Sequence, residues 1–173
     1  HGRRIYLERE SRGGLSTSHY AANLLGMLAV DTYVTGAHHL PRWASFIRSE
    51  IRREALRQIL PDGMVQEAST GYHRHVTDIM TMIAALLNKD EQGVPREILE
   101  RLTHAVEALE VLERVGMPLI GDNDDGMAMK VTGLAADSSM LRDVAQRFVP
   151  LTRPKQGVHS YPAFGLDVWT GSL

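Results

Sequence analysis

Apolar positions recur at helical spacing through four stretches of the chain, and a turn signal punctuates each one. From about Ser16 to Val34, Leu24, Leu25, Met27, Leu28 and Val30 make a segment that is apolar nearly all round. Such a helix is expected to be enclosed by others rather than to lie on a surface. Ser16 or Thr17 supplies its N-cap and Gly36 its stop. The second stretch runs from about Pro41 to Ile59, with Trp43, Ile47, Ile51, Ala55 and Ile59 in one stripe at i+4 spacing. Pro41 suits a first helical turn, and Pro61-Asp62-Gly63 is a strong turn signal after it.

The third stretch covers about Thr70 to Asn88, with Val76, Ile79, Met80, Ile83, Leu86 and Leu87 on one side. The fourth covers about Arg96 to Val115. There Ile98, Leu102, Ala105, Val106, Leu109 and Leu112 face one way, Glu100, Arg101, Glu107 and Glu113 the other, and Gly116 and Pro118 close the helix. A weaker fifth helix is expected over about Ser138 to Phe148. Beyond Pro150 the period changes, and Tyr161, Phe164, Leu166, Val168 and Trp169 read as strand-like.

This division predicts a helical part over 1–150. A linker and the first strand of a β-rich part, otherwise missing from this polypeptide, follow over 151–173. Successive helices on short loops, with no βαβ alternation, predict stacked antiparallel helical hairpins in an all-α class.

Composition narrows the function. At 173 residues the chain can bury one core. A formal net charge of -2 gives no basic excess for a nucleic acid to meet. The longest apolar run, Leu24 to Val30, is interrupted by Gly26 and is too short to cross a bilayer. With no Cys there is neither a disulfide framework nor a thiolate metal site. The opening His1-Gly2-Arg3-Arg4 reads as a processed end. Arg48, Arg52, Arg53 and Arg57 alternate with Glu50 and Glu54 and are expected to form a solvated helix face.

Candidate chemistry sits where polar residues interrupt the apolar pattern at helix starts. Three clusters stand out: Ser18-His19-Tyr20 with Asn23; Gln66-Glu67 followed by Tyr72-His73-Arg74-His75; and Gly121-Asp122-Asn123-Asp124-Asp125-Gly126. A helix N-terminus carries partial positive charge and free N–H groups, which favour an anionic ligand. Each cluster also has a plain structural explanation. Ser18 can cap, His19 can be an interior histidine, and Tyr72 shares a row with Val76 and Met80. His73, Arg74 and His75 point in three directions round a helix and cannot all serve one site. The acidic loop is no EF-hand: counted from Asp122, Gly126 falls one place early and no closing Glu follows. There is no Gly-x-Ser-x-Gly elbow for a serine hydrolase and no His-Glu-x-x-His helix for zinc.

In this order the clusters resemble the heparinase II/III-like polysaccharide lyases. The stretch Leu60-Pro61-Asp62-Gly63-Met64-Val65-Gln66-Glu67-Ala68-Ser69-Thr70-Gly71-Tyr72-His73-Arg74 is similar to that family's most specific signature. Ser18-His19-Tyr20-Ala21-Ala22-Asn23-Leu24-Leu25-Gly26 resembles its Asn-His helix, and Gly121 to Gly126 its Gly-Asp-x-Asp-Asp-Gly loop. Tyr161-Pro162-Ala163-Phe164-Gly165-Leu166 resembles the start of its β-sandwich. The resemblance implies part of an incomplete α/α toroid, with the beginning of a β-sandwich at the C-terminal end.

It also implies β-elimination of a uronate-containing acidic polysaccharide, heparan-type or alginate-like. Removing the proton at C5 requires that the neighbouring carboxylate be neutralised by donors or cations, which stabilises the enolate-like intermediate. A base takes the proton and an acid protonates the leaving oxygen. By resemblance Tyr72 is that base or acid, its pKa lowered by a neighbouring cation, and His19 meets the carboxylate. Ser18, Asn23, Gln66, Glu67, His73, Arg74, Asp122 and Asp124 line the substrate.

The chain departs from the pattern at Ser18, where the family commonly has Asn, and a hydroxyl reaches less far than an amide. The family draws a further catalytic His from its sandwich, beyond this chain's last residue, so weak activity or none is expected of the isolated fragment. The residues present call for no cofactor, and the resemblance leaves room for a structural divalent metal in the β-rich part. A periplasmic or secreted location goes with the resemblance. Two rivals are a carbohydrate-binding helical module without catalysis, and a scaffold whose polar clusters are only caps and loop signals.

Overall fold

The computed structural model describes residues 17–33, 41–122 and 139–171. Five helices and one hairpin are found among them: α1 (Ser18–Tyr33), α2 (Pro41–Gln58), α3 (Thr70–Leu87), α4 (Arg96–Arg114), α5 (Ser139–Ala145), β1 (Gly157–Tyr161) and β2 (Leu166–Thr170). Their bounds follow the apolar periodicity to within a few residues. The expected stop at Gly36 lies outside the described residues.

Cross-links between helices fix their directions. Lys89, just past α3, reaches Tyr33 at the end of α1, and Glu67, just before α3, reaches Ser18 at the start of α1. These two helices therefore run parallel. The end of α2 lies beside the approach to α3, where the Gln66 N–H bonds the Gln58 carbonyl at 2.9 Å, while Arg48, further back in α2, pairs with Asp90 past the end of α3, so α2 runs against α3. Thr70 at the start of α3 meets the carbonyls of Pro118 and Ile120 beyond the end of α4, which makes α3 and α4 antiparallel as well. The order up, down, up, down is that of stacked hairpins.

The main core joins Tyr20, Leu24 and Met27 of α1, Ile47 and Ile51 of α2, and Val76, Met80 and Ile83 of α3. Leu102 and Leu109 of α4 and Leu141 of α5 complete it. Helix α4 is apolar on a second side too. Ala108, Val111 and Leu112 pack with Met64 against Tyr161 and Val168 of the hairpin.

Two expectations need correcting. Glu50 and Glu54 do not lie on the solvated face with the arginines; they are 8% and 1% exposed. Glu50 accepts a hydrogen bond from the Tyr20 hydroxyl at 2.5 Å and Glu54 one from Gln58 Nε2 at 3.4 Å. A buried acid needs such donors, and α1 supplies the first of them. The C-terminal stretch, in turn, is a complete antiparallel hairpin rather than one strand. Val158 pairs with Trp169 and Tyr161 with Leu166, and Phe164 stands in the turn. Asp62 fixes that turn by accepting the N–H groups of Ala163 and Phe164.

Candidate functional site

Parallel packing of α1 and α3 brings their first turns to one end of the molecule. The joint between them is Glu67. Its carboxylate accepts the backbone N–H of Ser18 at 2.5 Å and the Ser18 hydroxyl at 3.3 Å. Ser18 is fully buried, so its hydroxyl serves this joint. His19, the next residue, is exposed, and Asn23, one turn later, is half-buried.

Ser69 organises the start of α3. It holds extended backbone (φ -134°, ψ 137°) as an N-cap, and its hydroxyl accepts from the N–H of Tyr72 at 3.2 Å. The same hydroxyl donates to the backbone carbonyl of Asp122. Thr70 completes the link: its N–H bonds Ile120 at 3.1 Å and its hydroxyl bonds Pro118 at 2.6 Å. Two backbone features make this approach possible. Ala68 takes a left-handed conformation (φ 53°), which costs a non-glycine residue about 1–2 kcal/mol. A side chain at Gly121 (φ 72°) would place its Cβ 2.4 Å from the Ala68 carbonyl oxygen. The loop of residues 65–69, the first turns of α1 and α3, and residues 118–122 thus form one tied unit.

Around this unit Gln66, Glu67, Tyr72, Arg74 and His75 are half-buried, and Asp122 is exposed. The Tyr72 and His75 rings meet edge to face, 6.4 Å between centroids and 78° between planes. His73 points elsewhere. It is fully enclosed, neither ring nitrogen has a well-formed hydrogen bond, and its pKa falls from 6.5 to about 4. Burial causes that shift, with the Ala105 carbonyl and Asp62 pulling weakly the other way. A ring so placed has no solvent face to offer a ligand. Asp124 and the rest of the acidic loop beyond Asp122 lie outside the described residues.

The helix starts are less open to an anion than the sequence suggests. The N–H groups of Ser18, Tyr20, Ala21, Thr70, Tyr72 and His73 are all taken by protein acceptors. The side chains carried on or just after these first turns are an imidazole, a phenol and a guanidinium, near two positive helix ends. Among the described residues no three His, Asp or Glu side chains converge as a metal site.

Residues 13–124, well over half the chain, match the family described as Heparinase II/III N-terminus. The chain belongs to the heparinase II/III family. No curated protein and no solved structure matches it. The matched span of this heparinase II/III chain contains every element of the tied unit, from Ser18 to Asp122.

Sequence reasoning missed the joint-forming roles of Glu67 and Ser69. For Ser69 a signal existed: a Ser directly before the apolar row that starts at Thr70 is an N-cap pattern. For Glu67 there was none, because its partner lies 49 residues away.

Proposed function

We propose that the unit formed by the starts of α1 and α3 is part of a polysaccharide lyase site. It would cleave a uronate-containing acidic polysaccharide, heparan-type or alginate-like, by β-elimination. The carrying observation is the Glu67–Ser18 joint, which holds the turn bearing His19 beside the turn bearing Tyr72. Membership in the heparinase II/III family supports the polysaccharide class.

In this reading Tyr72 transfers the proton at C5 or at the leaving oxygen. His19 and Arg74 meet the sugar carboxylate, whose charge must be offset before the proton can leave. Asn23, Gln66 and Asp122 offer amide and carboxylate groups to sugar hydroxyls. Ser18 and Glu67 place the α1 turn, and His73 packs the helix behind Tyr72.

Elimination creates a conjugated unsaturated uronate, so ultraviolet absorbance should rise when the complete gene product is incubated with such a polysaccharide. Tyr72→Phe should slow that rise by at least ~100-fold, the usual worth of a positioned acid or base. An unchanged rate in the variant would remove Tyr72 from the chemistry.

One observation favours a second reading, a carbohydrate-binding module without catalysis. The hydroxyl at position 18 is held by Glu67, so carboxylate neutralisation has one donor fewer than in a chain with Asn there. A pure binder would take up the polysaccharide with no absorbance change.

A further inference from the structure

Away from the helix starts, a cleft of about 560 Å³ opens between the outer face of α4 and residues 152–161. That size suits a small-molecule ligand, and its lining carries both signs of charge. Asp62 and Glu107 stand near the largely buried Tyr161. Arg153 and Lys155 also line it, both exposed and in no ion pair among the described residues. Ala108, Val111 and Pro154 supply apolar surface.

The acids are held rigidly. Asp62 accepts three backbone N–H groups, from Met64, Ala163 and Phe164. Glu107 accepts the N–H and hydroxyl of Thr152 through Oε1. Burial, with Asp62 and Glu107 nearby, pushes the Tyr161 hydroxyl up to about 12, so it stays a protonated donor at neutral pH. A ligand that satisfies this lining must offer hydroxyl donors to carboxylates, an anion to cations and an apolar face to Ala108, Val111 and Pro154.

We propose that this cleft is a second saccharide site, for a sugar acid: its hydroxyls face Glu107 and Tyr161, and its carboxylate faces Arg153 and Lys155. It extends the reading above, from which it takes the saccharide class; the two exposed cations in the lining, Arg153 and Lys155, select the acid.

Amide NMR spectra of the chain titrated with glucuronate test it. Saturable shifts are expected at Val111, Thr152 and Lys155, with glucose at least ~10-fold weaker because it lacks the anion. The double variant Arg153→Glu/Lys155→Glu changes two exposed residues and should weaken glucuronate ~10-fold or more, whereas Tyr72→Phe should leave these shifts unchanged. Equal binding of glucose, indifference to charge reversal, or shifts only around residues 18–23 and 66–74 would overturn the proposal. The last result would leave the helix-start site standing. Shifts at the cleft alone would support the second site and count against the first.

Discussion

An imidazole sealed inside a helical bundle behaves differently from one on its surface, and His73 shows the consequence. Its folded-state pKa of about 4 lies below the unfolded 6.5. Above pH 6.5 both states hold the ring neutral and its contribution to stability is fully present. Between 6.5 and about 4 the unfolded chain binds the proton and the folded chain does not, so stability falls as pH falls. A shift of that size corresponds to about 3 kcal/mol. Urea unfolding at pH 7.5 and 4.5 should show wild type losing about 2–3 kcal/mol more than His73→Phe, which keeps an aromatic ring but cannot titrate. Equal losses would mean that the ring meets solvent. The sequence alone could say only that His73, Arg74 and His75 diverge; which of them turns inward is decided by α4, whose Ala105 backbone faces His73.

At the scale of elements, the helices were legible because their apolar rows are long and regular. The row of Ile47, Ile51 and Ala55 in α2 is buried as its spacing predicts. What periodicity cannot reveal is a polar residue drawn inward by a partner on another element. Glu50 and Glu54 looked like the acidic half of an exposed arginine face until the Tyr20 hydroxyl and Gln58 gave them donors. The hairpin was half legible for a related reason: β1 alternates Val158 and Ser160 outward with polar His159 inward, so no apolar run marks it.

The joint between α1 and α3 is likewise invisible to local pattern, yet it has a measurable worth. In Glu67→Ala the buried Ser18 N–H and hydroxyl lose their acceptors, a loss of about 1–3 kcal/mol. Amide exchange in the first turn of α1 should speed up accordingly, while the amide of Leu102 in α4 keeps its protection. Glu67→Gln, which retains an acceptor oxygen, should fall between the two. Unchanged exchange at Tyr20 and Ala21 in the alanine variant would show that the joint does not hold α1.

At the scale of the molecule, the two proposed sites both rest on how the hairpins stack. Parallel α1 and α3 put two helix starts at one end, tied through Ser69, Gly121 and Glu67. The doubly apolar α4 carries the main core on one side and the hairpin on the other, and the cleft lined by acids and cations lies along it. The first arrangement was foreshadowed by the order of the sequence clusters. The second was not, because Asp62, Glu107 and Lys155 are far apart along the chain and meet only once the hairpin docks.

The central claim is that Tyr72 and His19 address the same bound sugar acid. Side-chain NMR resonances of those two rings, followed while a uronate tetrasaccharide is added, test it directly. The account predicts that both move together along one saturation curve. Movement of one ring without the other, or two separate curves, would contradict it.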